Sequence, residues 1–265
     1  MTSNLRLKNL DDIRGIWRSG QVTAALLEEL VLRVRPGVST AELNRYAEEF
    51  IAAHGGTPAF KGYNGFPAAI CTSVNQEVVH GIPSEERVLE PGEVVKLDTG
   101  VVLGGYVSDA ARTVVAGDGE APAGVVRLME ATRQALDDGI ARMRGGYLLN
   151  EVSAAIAERI RSAGFKVIRE LTGHGVGFAL HEPPVVHNYP VPEGNRFRLV
   201  NGLVLALEPM ASLSCEEILL GEDGWTYATV DGSTVAHFED TVAIVRDRPV
   251  VLTRLDGPRL EELLG

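Results

Sequence analysis

Two stretches of this chain, 109 residues apart, carry the same helix–turn–helix punctuation. From Asn9 to Val34, apolar side chains fall at Ile13, Ile16/Trp17, Ala24, Leu27, Val31 and Val34, the i, i+3, i+4 spacing of a helix with one buried face. Asn9 is a suitable N-cap, and Pro36-Gly37 ends the helix. Ser39-Thr-Ala-Glu42 then reads as a capping box opening a second helix that stops at Gly55-Gly56. The grammar returns in a helix from about Ala123 to Arg144, closed by Gly145-Gly146. Another follows from about Asn150 to Ala163, stopped by Gly164. Eight of the 29 positions from 27 to 55 are identical at this offset: Leu27/Leu136, Arg33/Arg142, Arg35/Arg144, Gly37/Gly146, Glu42/Glu151, Glu49/Glu158, Ile51/Ile160 and Gly55/Gly164. Shared helix punctuation alone is one explanation. A duplicated half-domain with a site where the halves meet is the sharper one.

Strand-like sequence follows each helix pair. Glu93–Val102 and Gly105–Val115 are Val-rich runs around Leu103-Gly104 and read as a hairpin. Leu203–Leu207, Thr226–Val230 and Val235–Val245 are further candidates, the last two joined by a type I′ signal at Asp231-Gly232. No Ser/Pro-rich linker splits the 265 residues, so one α+β domain is expected, spanning 1–265, with halves of approximately 10–118 and 119–245. In it a curved antiparallel sheet is covered by helices. With 25 Lys+Arg against 36 Asp+Glu, the net charge of −11 argues against broad capture of nucleic acid or anionic membrane. Cys71 and Cys215 are too few for a disulfide framework. The N-terminus has no signal-peptide pattern, and no run reaches the roughly 18 apolar residues of a membrane span. A cytoplasmic protein is the expectation.

Acids stand where acids are unwelcome. A two-residue turn at Leu103-Gly104 would set Asp98 opposite Asp109 in the hairpin, two carboxylates that repel unless a cation or proton lies between them. A longer loop with both aspartates in solvent is the alternative. Leu203–Leu207 runs into Glu208, and Val235–Val242 holds Glu239-Asp240. Each needs a metal or a partner such as one of the 21 arginines. Thr172-Gly-His174-Gly-Val-Gly177 surrounds a histidine with glycine, and His181-Glu-Pro-Pro184 adds a second. Hard oxygen ligands plus one imidazole suit two Mn²⁺, Fe²⁺, Co²⁺ or Zn²⁺ ions better than a structural tetrahedral zinc.

Taken in order, Ser73-Val-Asn75…Val79-His80-Gly-Ile-Pro83, Asp98…Asp109, the His174 and His181 motifs, Leu207-Glu208-Pro-Met210 and His237-Phe-Glu239-Asp-Thr241 resemble a methionine aminopeptidase. The likeness is to the bacterial-like type I enzymes of the pita-bread fold, a fold known for duplicated halves, and runs from roughly 10 to 245. It implies that Asp98 chelates one metal and His174 the other, that Asp109 and Glu239 bridge them, and that Glu208 joins the His174 metal and shuttles protons. A bridging hydroxide would attack the scissile carbonyl. His181 would hydrogen-bond the tetrahedral intermediate and His80 the substrate backbone. Phe60, Tyr63, Phe66, Cys71, Leu180 and Trp225 match the family's methionine pocket. The implied substrates are nascent polypeptide N-termini with a small second residue, handled by a monomer with transient ribosome contact. Two features lean toward Xaa-Pro peptidases of the same fold: Asp240, where methionine enzymes usually have His, and Thr99-Gly100 after the first aspartate. Those rivals usually carry an additional N-terminal domain. A non-catalytic pita-bread binding protein is the remaining alternative, although such relatives typically lose metal ligands.

Overall fold

A computed structural model describes residues 5–117 and 121–255. The expected boundary between halves, at 118/119, lies outside the described residues. Helices Leu10–Arg33 (α1) and Thr40–Ala53 (α2) precede strands Thr57–Pro58 (β1), Ile70–Val74 (β2), Glu77–Val79 (β3), Val94–Leu103 (β4) and Tyr106–Val115 (β5). Helices Ala123–Arg142 (α3) and Leu149–Ser162 (α4) follow. Then come Lys166–Val167 (β6), Thr172–Gly175 (β7), Glu182–His187 (β8), Val204–Leu207 (β9), Met210–Ser212 (β10), Ile218–Leu220 (β11), Tyr227–Thr229 (β12), Val235–His237 (β13), Asp240–Val245 (β14) and Arg248–Val251 (β15). The α+β expectation holds.

The local signals act as their chemistry dictates. Asn9 Oδ1 accepts from the Asp11 and Asp12 amides while Asp12 returns a bond to the Asn9 amide, which starts α1. Ser39 and Glu42 exchange the same reciprocal pair at α2. At α4 Glu151 still caps the Leu148 amide, but leucine has no side-chain acceptor to complete the box. The repeat extends to backbone bonds that no sequence pattern displays. Gly37 N–H donates to Leu89 O and Gly146 N–H to Leu199 O; Leu89 N–H donates to Val38 O and Leu199 N–H to Tyr147 O.

Strand parity separates core from site. On β4, Val95, Leu97 and Val101 pack with Leu26, Leu27, Leu30 and Leu43 of α1 and α2. On β9 and β14, Leu205, Leu207, Val242 and Ile244 pack with Leu128, Leu136, Ile156 and Ile160 of α3 and α4. Side chains alternate along a strand, so Asp98, Glu208 and Glu239 take the face that these helices leave open. The sheet β1-β4-β2, with β5 on β4, meets the sheet β15-β14-β9-β7-β8 where Ala111 bridges Glu239. Thr241 Oγ1 ties the same seam by donating to Asp109 O and accepting from Asp109 N–H.

Three strand expectations need correction. The β4–β5 turn is Gly104-Gly105, not Leu103-Gly104, because this tight turn places both central residues at positive φ, +59° and +83°. Leu103 therefore pairs with Tyr106, and Asp98 faces Ala111 rather than Asp109. Asp231-Gly232 closes no hairpin: β12 pairs with β11 and β3, whereas β13 pairs with β10. Asp231 spends its carboxylate on Ser233 N–H and Ser214 Oγ. Finally, Val235–Val245 is two strands, broken where the Glu239 backbone turns to pair with Ala111.

Lys96 is 1% exposed, with its ammonium on Asn75 O at 2.7 Å and burial pushing its pKa down to about 7. Between pH 7 and about 10.5 the unfolded chain binds a proton that the folded one has lost, so this lysine's penalty fades as pH rises. Lys96→Met keeps the volume, and Asn75 O keeps the Val235 amide. The variant is expected to gain stability over the parent at pH 7 and to lose that advantage toward pH 10, as read by urea unfolding at both pH values. A pH-independent difference would contradict the assignment.

Candidate metal centre

The turn correction shifts the pairing by two residues, which preserves parity. Asp98 and Asp109 thus remain on one face as diagonal neighbours, with Asp109 opposite Gly100. From the other sheet, His174 pairs with Ala206, two residues before Glu208, and Asp240 pairs with Leu207. Glu239 enters at the seam beside Asp109 through its paired bonds with Ala111. Ligand atoms of Asp109, His174 and Glu239 lie within 4.8 Å of one another, and His174 Nε2 is 3.5 Å from Glu208 Oε1. Asp98 and Glu208 stand outside that tight trio yet line the same cavity of about 570 Å³.

Donor chemistry supports a metal. His174 Nδ1 is 3.0 Å from Gly175 O; a carbonyl only accepts, so Nδ1 carries the proton and Nε2 keeps its lone pair. Asp98 Oδ1, Asp109 Oδ1 and Glu239 Oε1 are buried without a hydrogen-bond donor among the described residues. No Lys or Arg is among the described residues lining the cavity. Burial therefore raises the pKa of Asp98 to about 7, and burial plus the neighbouring carboxylates raises those of Asp109, Glu208 and Glu239 well above the usual carboxylate range. Burial, with His181 alongside, depresses His174 to about 3, leaving it neutral at pH 7. Buried acids that can be neither solvated nor salt-bridged, beside an imidazole lone pair, fit divalent cations.

The remaining site candidates also gather here. Phe60, Tyr63, Phe66, Cys71, Leu180 and Trp225 all line the cavity, with Phe66 and Trp225 edge to face at 5.2 Å. Phe60 and Leu180 serve both core and cavity. Cys71 pairs with Asp98 across β2 and β4, so the apolar wall adjoins the acids directly, and burial holds its thiol protonated. His80 adopts φ +61°, a costly setting for a non-glycine residue. It is held by Gly81, whose N–H donates to Ser73 Oγ and whose position leaves a Cβ only 2.5 Å from Thr72 O. That close approach explains the Ser73…Gly81 block. His181 stands 4.2 Å from His174, ring to ring, with Nδ1 on the Tyr63 hydroxyl at 2.8 Å.

Asp240 is different. It takes Arg112 Nη2, Thr253 Oγ1 and Arg254 Nε at 2.7–2.9 Å, lies outside the cavity lining, and realises the arginine ion pair that the sequence left open. Three residues escaped the sequence reading. Lys8 forms a buried 2.6 Å pair with Glu182, which also accepts the Phe178 and Ala179 amides and so fixes the His181 loop. His237 sits buried with Nε2 3.7 Å from Glu208 Oε2. Arg112 Nη1 holds the Glu239 carbonyl at 2.6 Å. For Lys8 the one available signal was the rarity of lysine, four in the chain.

The raised carboxyls set a proton balance. Unfolded carboxyls ionise near pH 4, while Asp98 keeps its proton to about pH 7 and burial raises Asp109 in the same direction, so the metal-free fold loses stability as pH climbs from about 4 to 7. Adding Mn²⁺ or Zn²⁺ at pH 7 is expected to release on the order of one proton or more per chain. Calorimetry in two buffers of different ionisation enthalpy measures it, and binding without proton release would contradict these shifts.

The comparisons agree with this geometry. A model of metallopeptidase family M24 matches residues 14–246. A methionine aminopeptidase of Borreliella burgdorferi is 44% identical over 253 residues, 96% of this chain and 100% of that protein. The crystal structure of a methionine aminopeptidase from Thermotoga maritima superposes with a TM-score of 0.91 at 39% identity, covering 94% of this chain and 99% of that one. An Xaa-Pro dipeptidase from Bacillus anthracis shares the fold at TM-score 0.76 and 23% identity, covering 95% of this chain but 63% of its own. With its pita-bread architecture and its acid-and-imidazole cavity, the chain belongs to metallopeptidase family M24.

Proposed function

We propose that this chain is a methionyl aminopeptidase that removes N-terminal methionine from nascent polypeptides and peptides whose second residue is small. The observation that carries the reading is one cavity in which five metal-type ligands adjoin a wall of Phe60, Tyr63, Phe66, Cys71, Leu180 and Trp225. A flexible thioether is favoured against aromatic rings and sulfur. Asp240 and Thr99 do not argue for the proline-specific rivals. Asp240 is consumed by Arg112 and Arg254, and Thr99 is buried with its hydroxyl toward Ala69 O.

In this reading Asp98, Asp109, His174, Glu208 and Glu239 would hold two divalent ions, Asp98 serving one and His174 and Glu208 the other, with Asp109 and Glu239 shared between them. The ions are Co, Mn, Fe or Zn, and when bound they supply Lewis-acid polarisation and a water that ionises near neutral pH. Glu208, beside His174 in the cavity, would take a proton from water and pass it to the leaving amine. His181 donates to the oxygen on which negative charge develops. His80, placed by its strained backbone, donates to the peptide chain. The apolar wall fixes the side chain and so orients the scissile bond.

We further propose a single domain of two halves, approximately 10–118 and 119–245, supported by the backbone bonds repeated near Gly37 and Gly146. A monomer is supported by a cavity that one chain completes. No helix among the described residues is long and apolar enough to cross a membrane, in keeping with action in the cytoplasm during transient ribosome contact.

Met-Ala-Ser is expected to be cleaved by Mn²⁺- or Co²⁺-loaded protein and spared after chelation, with Ala-Pro peptides spared throughout. Cleavage of only the proline peptide would overturn the substrate class. Asp109→Asn is expected to abolish tight metal binding, and unchanged stoichiometry by metal analysis would refute its spanning role. His181→Ala should lower kcat by roughly 100-fold or more with metal content retained; normal turnover would count against the donor role.

A further inference from the structure

His174 and His181 stand seven residues apart in sequence and 4.2 Å apart in space, yet their Nδ1 atoms meet opposite kinds of partner. His174 Nδ1 meets a backbone carbonyl, which forces the proton onto Nδ1. His181 Nδ1 meets the Tyr63 hydroxyl at 2.8 Å, and a hydroxyl can give a proton as well as accept one. Between a phenol and a neutral imidazole, the phenol is the stronger donor and the bare ring nitrogen the stronger acceptor. No other hydrogen-bond partner of that hydroxyl occurs among the described residues, so no protein group competes for its proton there. We propose that Tyr63 is a positioning residue that fixes His181 as the Nε2–H tautomer, and that it couples filling of the apolar pocket to the donor edge of that histidine.

The loop around Tyr63 is built to hold the phenol there. Gly62, Asn64 and Gly65 all take positive φ, and Gly62 N–H closes onto Phe66 O at 2.8 Å. Tyr63 N–H donates to Phe60 O and Phe66 N–H to Tyr63 O, both at 2.9 Å. On the other side, Glu182 anchors the segment carrying His181 through the Phe178 and Ala179 amides and buried Lys8. The two rings meet at 5.1 Å with a 41° tilt. Tyr63 thus presents its ring to the pocket that Phe66, Cys71 and Trp225 complete, and its hydroxyl to His181. A side chain lodged in that pocket presses on the ring whose hydroxyl sets the tautomer. With the proton on Nε2 instead of Nδ1, the ring offers the cavity a donor rather than a lone pair. His174 offers a lone pair, so the two neighbouring histidines divide acceptor and donor roles. The kinetic consequence rests on the aminopeptidase reading, whereas the tautomer assignment does not.

Tyr63→Phe keeps the ring in the pocket and removes the hydroxyl. Long-range ¹H–¹⁵N correlation on metal-free and Zn²⁺-loaded protein, with His181→Ala to assign the signals, reads the tautomer directly. The expected result is a proton on Nε2 of His181 in the parent and mixed tautomers in Tyr63→Phe. A proton on Nδ1 in the parent, or an unchanged tautomer in the variant, would overturn the proposal without reference to activity. With Met-Ala-Ser, Tyr63→Phe should lower kcat about five- to tenfold while leaving KM within about twofold. In a His181→Ala background the same substitution should cost nothing further. A rise in KM with kcat untouched would make Tyr63 a pocket wall only and refute the coupling. Failure of the parent to cleave Met-Ala-Ser would count against the aminopeptidase reading itself, and the nitrogen spectra would still decide the tautomer.

Discussion

Four carboxylates share one cavity wall with no Lys or Arg among the described residues that line it, and the architecture is arranged around that conflict. Each of Asp98, Asp109, Glu208 and Glu239 would be stable in water, and each is carried into the cavity on or at the end of a strand whose alternate residues are core. Leu97 cannot be buried against α1 and α2 without Asp98 being turned the other way, and Leu207 and Glu208 stand in the same relation beneath α3 and α4. Hydrophobic burial under the helices thus supplies the free energy that holds like charges together, and the charges create the demand for divalent ions. Stability and metal binding are two faces of the same strands.

The seam between the sheets makes this arrangement specific. Ala111 and Glu239 exchange backbone bonds, Thr241 closes both polar groups of the Asp109 backbone, and Arg112 grips the Glu239 carbonyl. Two of the acids, Asp109 and Glu239, are therefore positioned by main chain where the two sheets meet, with little freedom left in the chain that bears them. Asp240 belongs to this scaffold. It anchors Arg112 and Arg254, and Arg254 continues to Asp137 on α3, so the departure from the usual methionine-enzyme residue leaves the cavity untouched.

Period and punctuation were legible in the sequence, and pairing was less so. Helix caps at Asn9 and Ser39 and the glycine stops depend on neighbours within a few residues, and α1 to α4 fall where those signals put them. The cavity acids could be picked out because a carboxylate in or beside a Val-rich strand has few explanations. The Asp98–Asp109 register could not, since it depended on whether Leu103 or Gly105 entered the turn, which is a question of φ rather than polarity. Only the even size of the shift kept both acids on one face. Asp231-Gly232 misled because Asp231 had closer partners in Ser214 and Ser233. Lys8, His237 and Arg112 lie far in sequence from the groups they serve, and no local pattern marks such meetings.

The Lys8–Glu182 pair carries a consequence for how the chain tolerates change at its start. Lys8 lies before the first helix, on a segment whose Leu5 packs against the core beneath α3 and α4, and its backbone is tied to Gly202. Its ammonium also neutralises the carboxylate that organises the turn bearing His181. Removing the Lys8 ammonium leaves Glu182 as a buried charge without a counterion, a cost on the order of 3–5 kcal/mol placed at the turn that bears His181. Residues 5–9 are thus a brace for the His181 turn as well as the lead-in to α1, and the fold and the cavity rim share that one ion pair.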